Sequence, residues 1–262
     1  MKQQRLFRGV CAAAVLAFLS AAATAEPLSL RYSATWGGGA AADIRLFLDE
    51  GDGQFHNRLD IQTVGLARLL SGFRVRASST GQTDIDDVSP HAFDAVYDSH
   101  RKRDKRINVH FAQLPEGSLA EEGPENTSKD PLIAAEFRRD VIDPLTCITA
   151  VRRLVRDGVI GKDRGFTLAV YDGKRRFDVE GSVDAVEQVR WGKSNVETLS
   201  LRLLLRPVAG FDGESEDGYK PDSNTREMRV SVTNDARAIP LRLSVPIAYV
   251  QAIVQLDRDT RL

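Results

Sequence analysis

Cysteine is nearly missing from this 262-residue sequence: there are two, Cys11 and Cys147. Two methionines, two tryptophans and four histidines are comparably sparse. No Cys-x-x-Cys, His-x-x-x-His or His-Glu-x-x-His spacing occurs, so neither a thiol–disulfide exchange motif nor a compact zinc site is written in the chain. Gly-x-Ser-x-Gly, Gly-x-Gly-x-x-Gly after a strand and the phosphate-binding P-loop are also missing, which removes the commonest hydrolase, dinucleotide and nucleotide signatures. Beyond residue 25 no apolar run is long enough to span a bilayer as a helix.

The N-terminus reads as a sorting signal. Lys2, Arg5 and Arg8 precede an apolar run from Val10 to Ala23, and Ala23-Thr24-Ala25 has the small-x-small pattern of a signal-peptidase site. Cleavage is expected after Ala25, leaving one β-rich domain over 26–262, exported to the periplasm without a membrane anchor. Paired arginines are missing from the basic segment, which favours the general export route. Cys11 precedes the apolar run instead of following it, so it does not form a lipobox. Removing three bases and no acid leaves 33 basic against 37 acidic groups, a net charge of −4. That balance argues against a general nucleic-acid binder. Processing also leaves Cys147 as the lone thiol, so no intramolecular disulfide is expected.

Strict alternation dominates the chain beyond the signal. Leu28, Leu30, Tyr32, Ala34 and Trp36 alternate with Ser29, Arg31, Ser33 and Thr35, and a similar pattern covers 248–256. Comparable segments fall at 43–48, 54–63, 73–80, 91–97, 105–111, 166–171, 174–180, 183–190, 196–206, 226–233 and 240–246. One apolar and one polar face per strand indicates antiparallel sheet covered on one side. Strands this numerous and closely spaced predict a single, strongly curved sheet or open β-barrel. Asp172-Gly173 predicts a two-residue hairpin turn, because both residues tolerate positive φ. The stretches from Leu114 to about Arg139 and from Gly210 to Thr225 read as polar, mobile loops.

One segment has helical period. Asp143 is an N-cap residue, Pro144 suits the first helical position and Gly158 supplies the stop, giving a helix over about 143–157. Cys147, Ile148, Val151, Leu154 and Val155 share one face, and Thr149, Arg152, Arg153 and Arg156 share the other. The pattern predicts an amphipathic helix lying against the sheet, with Cys147 buried on its apolar face. A shorter helical turn is read at Val64–Leu70.

Few residues suggest chemistry. His56, His91, His100 and His110 are too dispersed to suggest a metal site, and no cofactor is expected. Arg101, Lys102, Arg103, Lys105 and Arg106 put five bases in six residues, an anion contact or a solvated strand end. The acidic loop Asp212–Gly218 lacks the glycine that a calcium-binding EF-hand needs at its sixth position.

Taken in order, Leu30-Arg31-Tyr32-Ser33-Ala34-Thr35-Trp36-Gly37-Gly38, Asp143-Pro144-Leu145-Thr146, Tyr171-Asp172-Gly173-Lys174-Arg175-Arg176-Phe177 and Thr233 to Leu241 resemble the bacterial domain-of-unknown-function family numbered 3108. The resemblance spans about residues 28–256. It implies a secreted envelope protein of Gram-negative bacteria with a curved β-sheet and a helix. It implies no activity, because no catalytic residue is assigned to that family. Thr146-Cys147 departs from the small or apolar residues expected there, which weakens any thiol mechanism for the family.

The function these observations predict is non-enzymatic: binding of an apolar ligand, a lipid or an envelope-protein partner in a curved β groove. Trp36, Phe73, Phe93, Phe111 and Val151 are its candidate lining, chosen by alternation. A hydrolase of envelope polymers and a structural partner in an envelope complex are the alternatives. The first predicts converging carboxylates or histidines, the second an exposed apolar patch or sheet edge.

Overall fold

The computed structural model describes residues 26–84, 87–100, 104–127, 131–161, 163–211, 224–247 and 250–260. The predicted export signal, residues 101–103 of the basic run and the acidic loop 212–218 lie outside them. Thirteen strands account for most of the described chain: β1 Leu28–Trp36, β2 Gly39–Gly51, β3 Gln54–Thr63, β4 Arg74–Thr83, β5 Val88–Asp98, β6 Lys105–Gln113 and β7 Ser118–Glu122. After α2 (Pro144–Arg156) come β8 Phe166–Tyr171, β9 Arg176–Trp191, β10 Ser194–Ala209, β11 Arg226–Thr233, β12 Pro240–Ile247 and β13 Val250–Leu256. A shorter helix, α1 (Gly65–Ser71), joins β3 to β4.

All thirteen strands lie in one sheet, in the order β7-β6-β5-β4-β3-β2-β1-β13-β12-β11-β10-β9-β8. The first seven form one meander and the last six another, and the pairing of β1 with β13 joins them. Neighbours are antiparallel throughout. With an odd number of strands alternating in direction, the two edges β7 and β8 run the same way and cannot close as an antiparallel pair. The segment between them fills the seam. Leu119 of β7 bridges Arg139, and Ile142 bridges Val170 of β8. Asp140, at φ 50°, turns the chain between the two bridges. The result is a nearly closed barrel whose clasp leads directly into α2.

Local chemistry accounts for the turns. Asp52 and Gly53 both have positive φ (53° and 71°), the geometry that matches strand twist in a two-residue hairpin. The turn expected at Asp172-Gly173 is longer than predicted, spanning residues 172–175. Asp172 uses its carboxylate to accept Lys174 N–H and Arg175 N–H, and of the two residues only Gly173 takes positive φ. A side chain at Gly173 would collide with Ile107, because this turn folds back onto β6 across the seam. The two strands predicted at 174–180 and 183–190 form one continuous strand, β9. Gly181 lies within it because the Phe166 ring occupies the place of a Cβ. The stretch from Leu114 to Arg139, predicted to be a mobile loop, contains β7 and a 3-10 turn at Ala135–Arg138. Ala120 of β7 is fully buried, which explains why so polar a segment is held.

Helix α2 departs most from expectation. Its limits are those predicted, with Asp143 capping and Pro144 in the first turn. It does not lie on the sheet with one wet face. It runs inside the barrel, packed on β3, β4, β5 and β8. Thr149 (0% exposed) and Arg152 (3%), assigned by helical phase to the polar face, are buried. Full burial of Leu145, Val151 and Val155 contributes roughly 1.5–3 kcal/mol each.

Candidate functional site

The polar residues buried with α2 fasten the helix to the barrel wall. Asp143 is fully buried. Its Oδ1 accepts Leu145 N–H and Thr146 N–H at 2.8 and 3.0 Å. Its Oδ2 accepts the Ser79 hydroxyl of β4 at 2.7 Å and the Thr146 hydroxyl. Burial raises the Asp143 pKa above the usual carboxylate value, and these four donors oppose that shift. The Asn57 amide of β3 donates to Thr149 Oγ1 at 2.7 Å. At the other end of the helix Arg152 is also largely buried. It pairs with Glu50 and donates to the carbonyls of Arg237 and Ala238 at 2.7 and 3.2 Å. Arg156 reaches the second Glu50 oxygen at 2.8 Å. Both carboxylates of this assembly are buried and committed to these partners, which makes it a structural fastening.

These contacts also distinguish the two ends of the barrel. The C-terminal half of α2 is tied to the end of β2 and to the β11–β12 and β4–β5 connections, the last through Arg153 donating to the Asp87 carbonyl. That rim is plugged. The opposite rim carries α1, the β1–β2 hairpin and the β5–β6 and β12–β13 connections, and the inward face there has a different character. Along β13 it passes from Leu256, 0% exposed, to the half-buried Val254 and Ala252. Leu241 to Leu243 and Val245 on β12, and Val232 to Val230 and Met228 on β11, follow the same gradient. On β1 it runs from Leu30 and Tyr32, both buried, through Ala34 to Trp36 at 57% exposed. Cross-strand register confirms one continuous face: Ala34 opposes Val254, Val254 opposes Leu243, Leu243 opposes Val230, and Val230 opposes the buried Leu201. Helix α2 packs most closely on β3–β5 and β8, and toward the α1 rim the wall of β1 and β11–β13 is lined by apolar side chains that are half-buried where those nearer α2 are sealed. The candidate site is this half-buried apolar wall, called the cup below.

The five residues expected to line a groove occupy three different places. Phe93 and Phe111 belong to the sealed cluster of β5, β6, Val141 and Leu145. Val151 packs in a second cluster with β9, β10 and β11. Trp36 and Phe73, at 57% and 36% exposed, stand at the lip beside α1. The cup lining itself, Met228, Leu243, Val245 and Val254, was visible to alternation, but alternation does not tell a filled interior from an open one. Of the basic run, Lys105 is half-buried at the start of β6 and Arg106 faces outward, paired with Glu125 at 3.0 Å. Arg101, Lys102 and Arg103 lie outside the described residues. Cys147 packs against the second cluster, and burial together with the nearby Asp143 charge pushes its thiol up to about 12. No set of three or more histidine, cysteine, aspartate or glutamate side chains among the described residues could hold a metal.

An antiparallel barrel-like sheet places the molecule in a structural class that solved structures already contain. A beta-barrel-like protein of domain of unknown function DUF1849 from Brucella abortus, known from a crystal structure, superposes with a TM-score of 0.55 at 11% identity, over 88% of this chain and 95% of that one. The likeness is one of fold. The chain belongs to the family described as protein of unknown function (DUF3108), whose family model matches residues 31–256. No curated protein matches it.

Proposed function

We propose that this protein is a non-enzymatic carrier or sensor of an apolar ligand, a single acyl chain or lipid tail, held in the cup between α2 and the α1 rim. The reading takes it to act in the periplasm, on the strength of the export pattern in residues 1–25. The observation that carries it is the gradient of exposure repeated on four neighbouring strands, from sealed residues such as Leu256 and Leu241 to half-buried Val254, Leu243 and Val245. A soluble interior normally closes over such residues, and apolar concavities that stay open are the usual form of small-molecule sites. The separation of roles fits this reading: α2 and its buried ion pair hold the frame, and the cup wall is left to apolar side chains.

The test is native mass spectrometry of the chain purified after export, followed by displacement of a fluorescent fatty-acid probe. A bound species of lipid mass, or probe binding that Leu243→Gln weakens about tenfold, is the expected result. A chain that emerges bare and takes up no probe ends the proposal.

A further inference from the structure

Helix α1 has the wrong faces for a soluble helix. None of its seven residues is buried, and Leu66, Leu69 and Leu70 are 75%, 76% and 84% exposed. Isolated exposed leucines are ordinary, but a contiguous group needs an explanation. Val64 N–H donates to the Ala41 carbonyl and Gly65 lies against the Ala40 carbonyl, so the helix is moored beside the hairpin that carries Trp36. Val250, 38% exposed, lies against Gly37 of the same hairpin. Phe73 follows the helix directly. The rim therefore presents six large apolar side chains on one end of the barrel.

Two exposed arginines flank this cap. Arg68 lies on α1 itself, and Arg74 is exposed and donates to the neutral Gln62 side chain at 3.0 Å. His100 is locked to the C-terminus of α1: its backbone N–H donates to the Ser71 carbonyl and its ring lies 3.1 Å from the Arg68 carbonyl. The nearby Asp98 carboxylate is engaged by Arg76 and by the Asp104 N–H.

We infer that the α1 rim docks on the anionic surface of a phospholipid bilayer. The leucines and Trp36 would enter the headgroup–acyl boundary while Arg68 and Arg74 meet lipid phosphates. Apolar residues flanked by arginine, with an aromatic at the boundary, are what interfacial binding requires, and neither signal suffices alone. The inference stands on this surface and does not depend on the cup holding a ligand. If both hold, the cup opens toward the bilayer.

The experiment is co-sedimentation of the chain purified after export with phosphatidylcholine vesicles and with vesicles that also contain phosphatidylglycerol. Binding is expected to the second and to fall with salt. Combined Leu66→Ser, Leu69→Ser and Leu70→Ser should cut the bound fraction at least about tenfold while leaving uptake of the fatty-acid probe intact. Arg68→Glu with Arg74→Glu should abolish the preference for the anionic vesicles. In a Trp191→Phe background, Trp36 emission should shift to the blue on vesicle addition, a readout that leaves the leucines untouched and decides the matter if the serine variant folds poorly. Absence of binding to either vesicle overturns the inference. So does a self-associated chain that the leucine variant turns to monomer without any vesicle binding, which would make a second copy the occupant.

Discussion

The two ends of the barrel are built from the same alternating strands and reach opposite outcomes. At the plugged rim, α2 covers the inward face, Glu50 neutralises two arginines largely out of contact with bulk water, and Asp143 commits both its oxygens to capping and to Ser79. At the α1 rim the same face carries residues of the same kind, Leu243 in place of Leu241 and Val254 in place of Leu256, half-covered. The difference lies in what stands opposite the strand. Among the described residues one helix enters the barrel, and it sits at one end and against one wall.

The largest effect should come from breaking the fastening. Glu50→Ala leaves Arg152 charged among carbonyls and is expected to cost about 3–5 kcal/mol in urea unfolding. Leu201→Ala, in the sealed half, should cost about 2–5 kcal/mol. Two strands along the same ladder row, beyond Val230, Leu243→Ala should cost under about 1.5 kcal/mol and weaken probe binding, because a half-buried site loses less burial and leaves no closed cavity. Equal costs at the two positions would erase the contrast between the ends. Asp143→Ala removes the cap and strands the Ser79 and Thr146 hydroxyls, an expected loss of about 2 kcal/mol. The raised Asp143 pKa has a signed consequence. Its contribution to stability is fully present below the unfolded carboxylate value of 3.8 and is lost as pH rises through the higher folded value. Asp143→Asn should therefore gain on the wild type as pH rises across that interval, measured by thermal midpoints. The smallest effect concerns Cys147. With its thiol pushed up to about 12, labelling by a thiol reagent near neutral pH should be at least about tenfold slower in the folded chain than in urea.

Period-two alternation located all the strands except β7, whose sequence Ser-Leu-Ala-Glu-Glu is too short and too acidic to stand out from a loop. Capping chemistry located α2 to within a residue at each end. What alternation cannot carry is which object faces the apolar side. Helical phase assigned Arg152 to solvent because arginine normally belongs there; its burial depends on Glu50, 102 positions earlier in the chain, and on two carbonyls of a distant turn. The cup was missed for a related reason. Phe93 and Leu243 occupy ladder positions of the same pattern, and only the volume of a helix entering from one end decides which becomes core. The exposed leucines of α1 were legible as a helical turn, but their exposure follows from the mooring of the helix backbone on β2, which no local pattern records.

The thirteenth strand has a mechanical consequence. An even ring of antiparallel strands zips shut along a full ladder, whereas here the circumference is completed by single backbone contacts: Asp140 N–H to the Ser118 carbonyl, Ile142 N–H to that of Ala169 and Tyr171 N–H to that of Ile142. The wall thus has one discontinuity in its ladder. There the ladder gives way to single backbone bonds, supplemented by Ser118 N–H to the Asp140 carboxylate and by Arg138 on the Ala120 carbonyl, and the segment that makes them is continuous with the helix that stops the bore. The closure of the wall and the placement of its plug therefore rest on the same short stretch of chain.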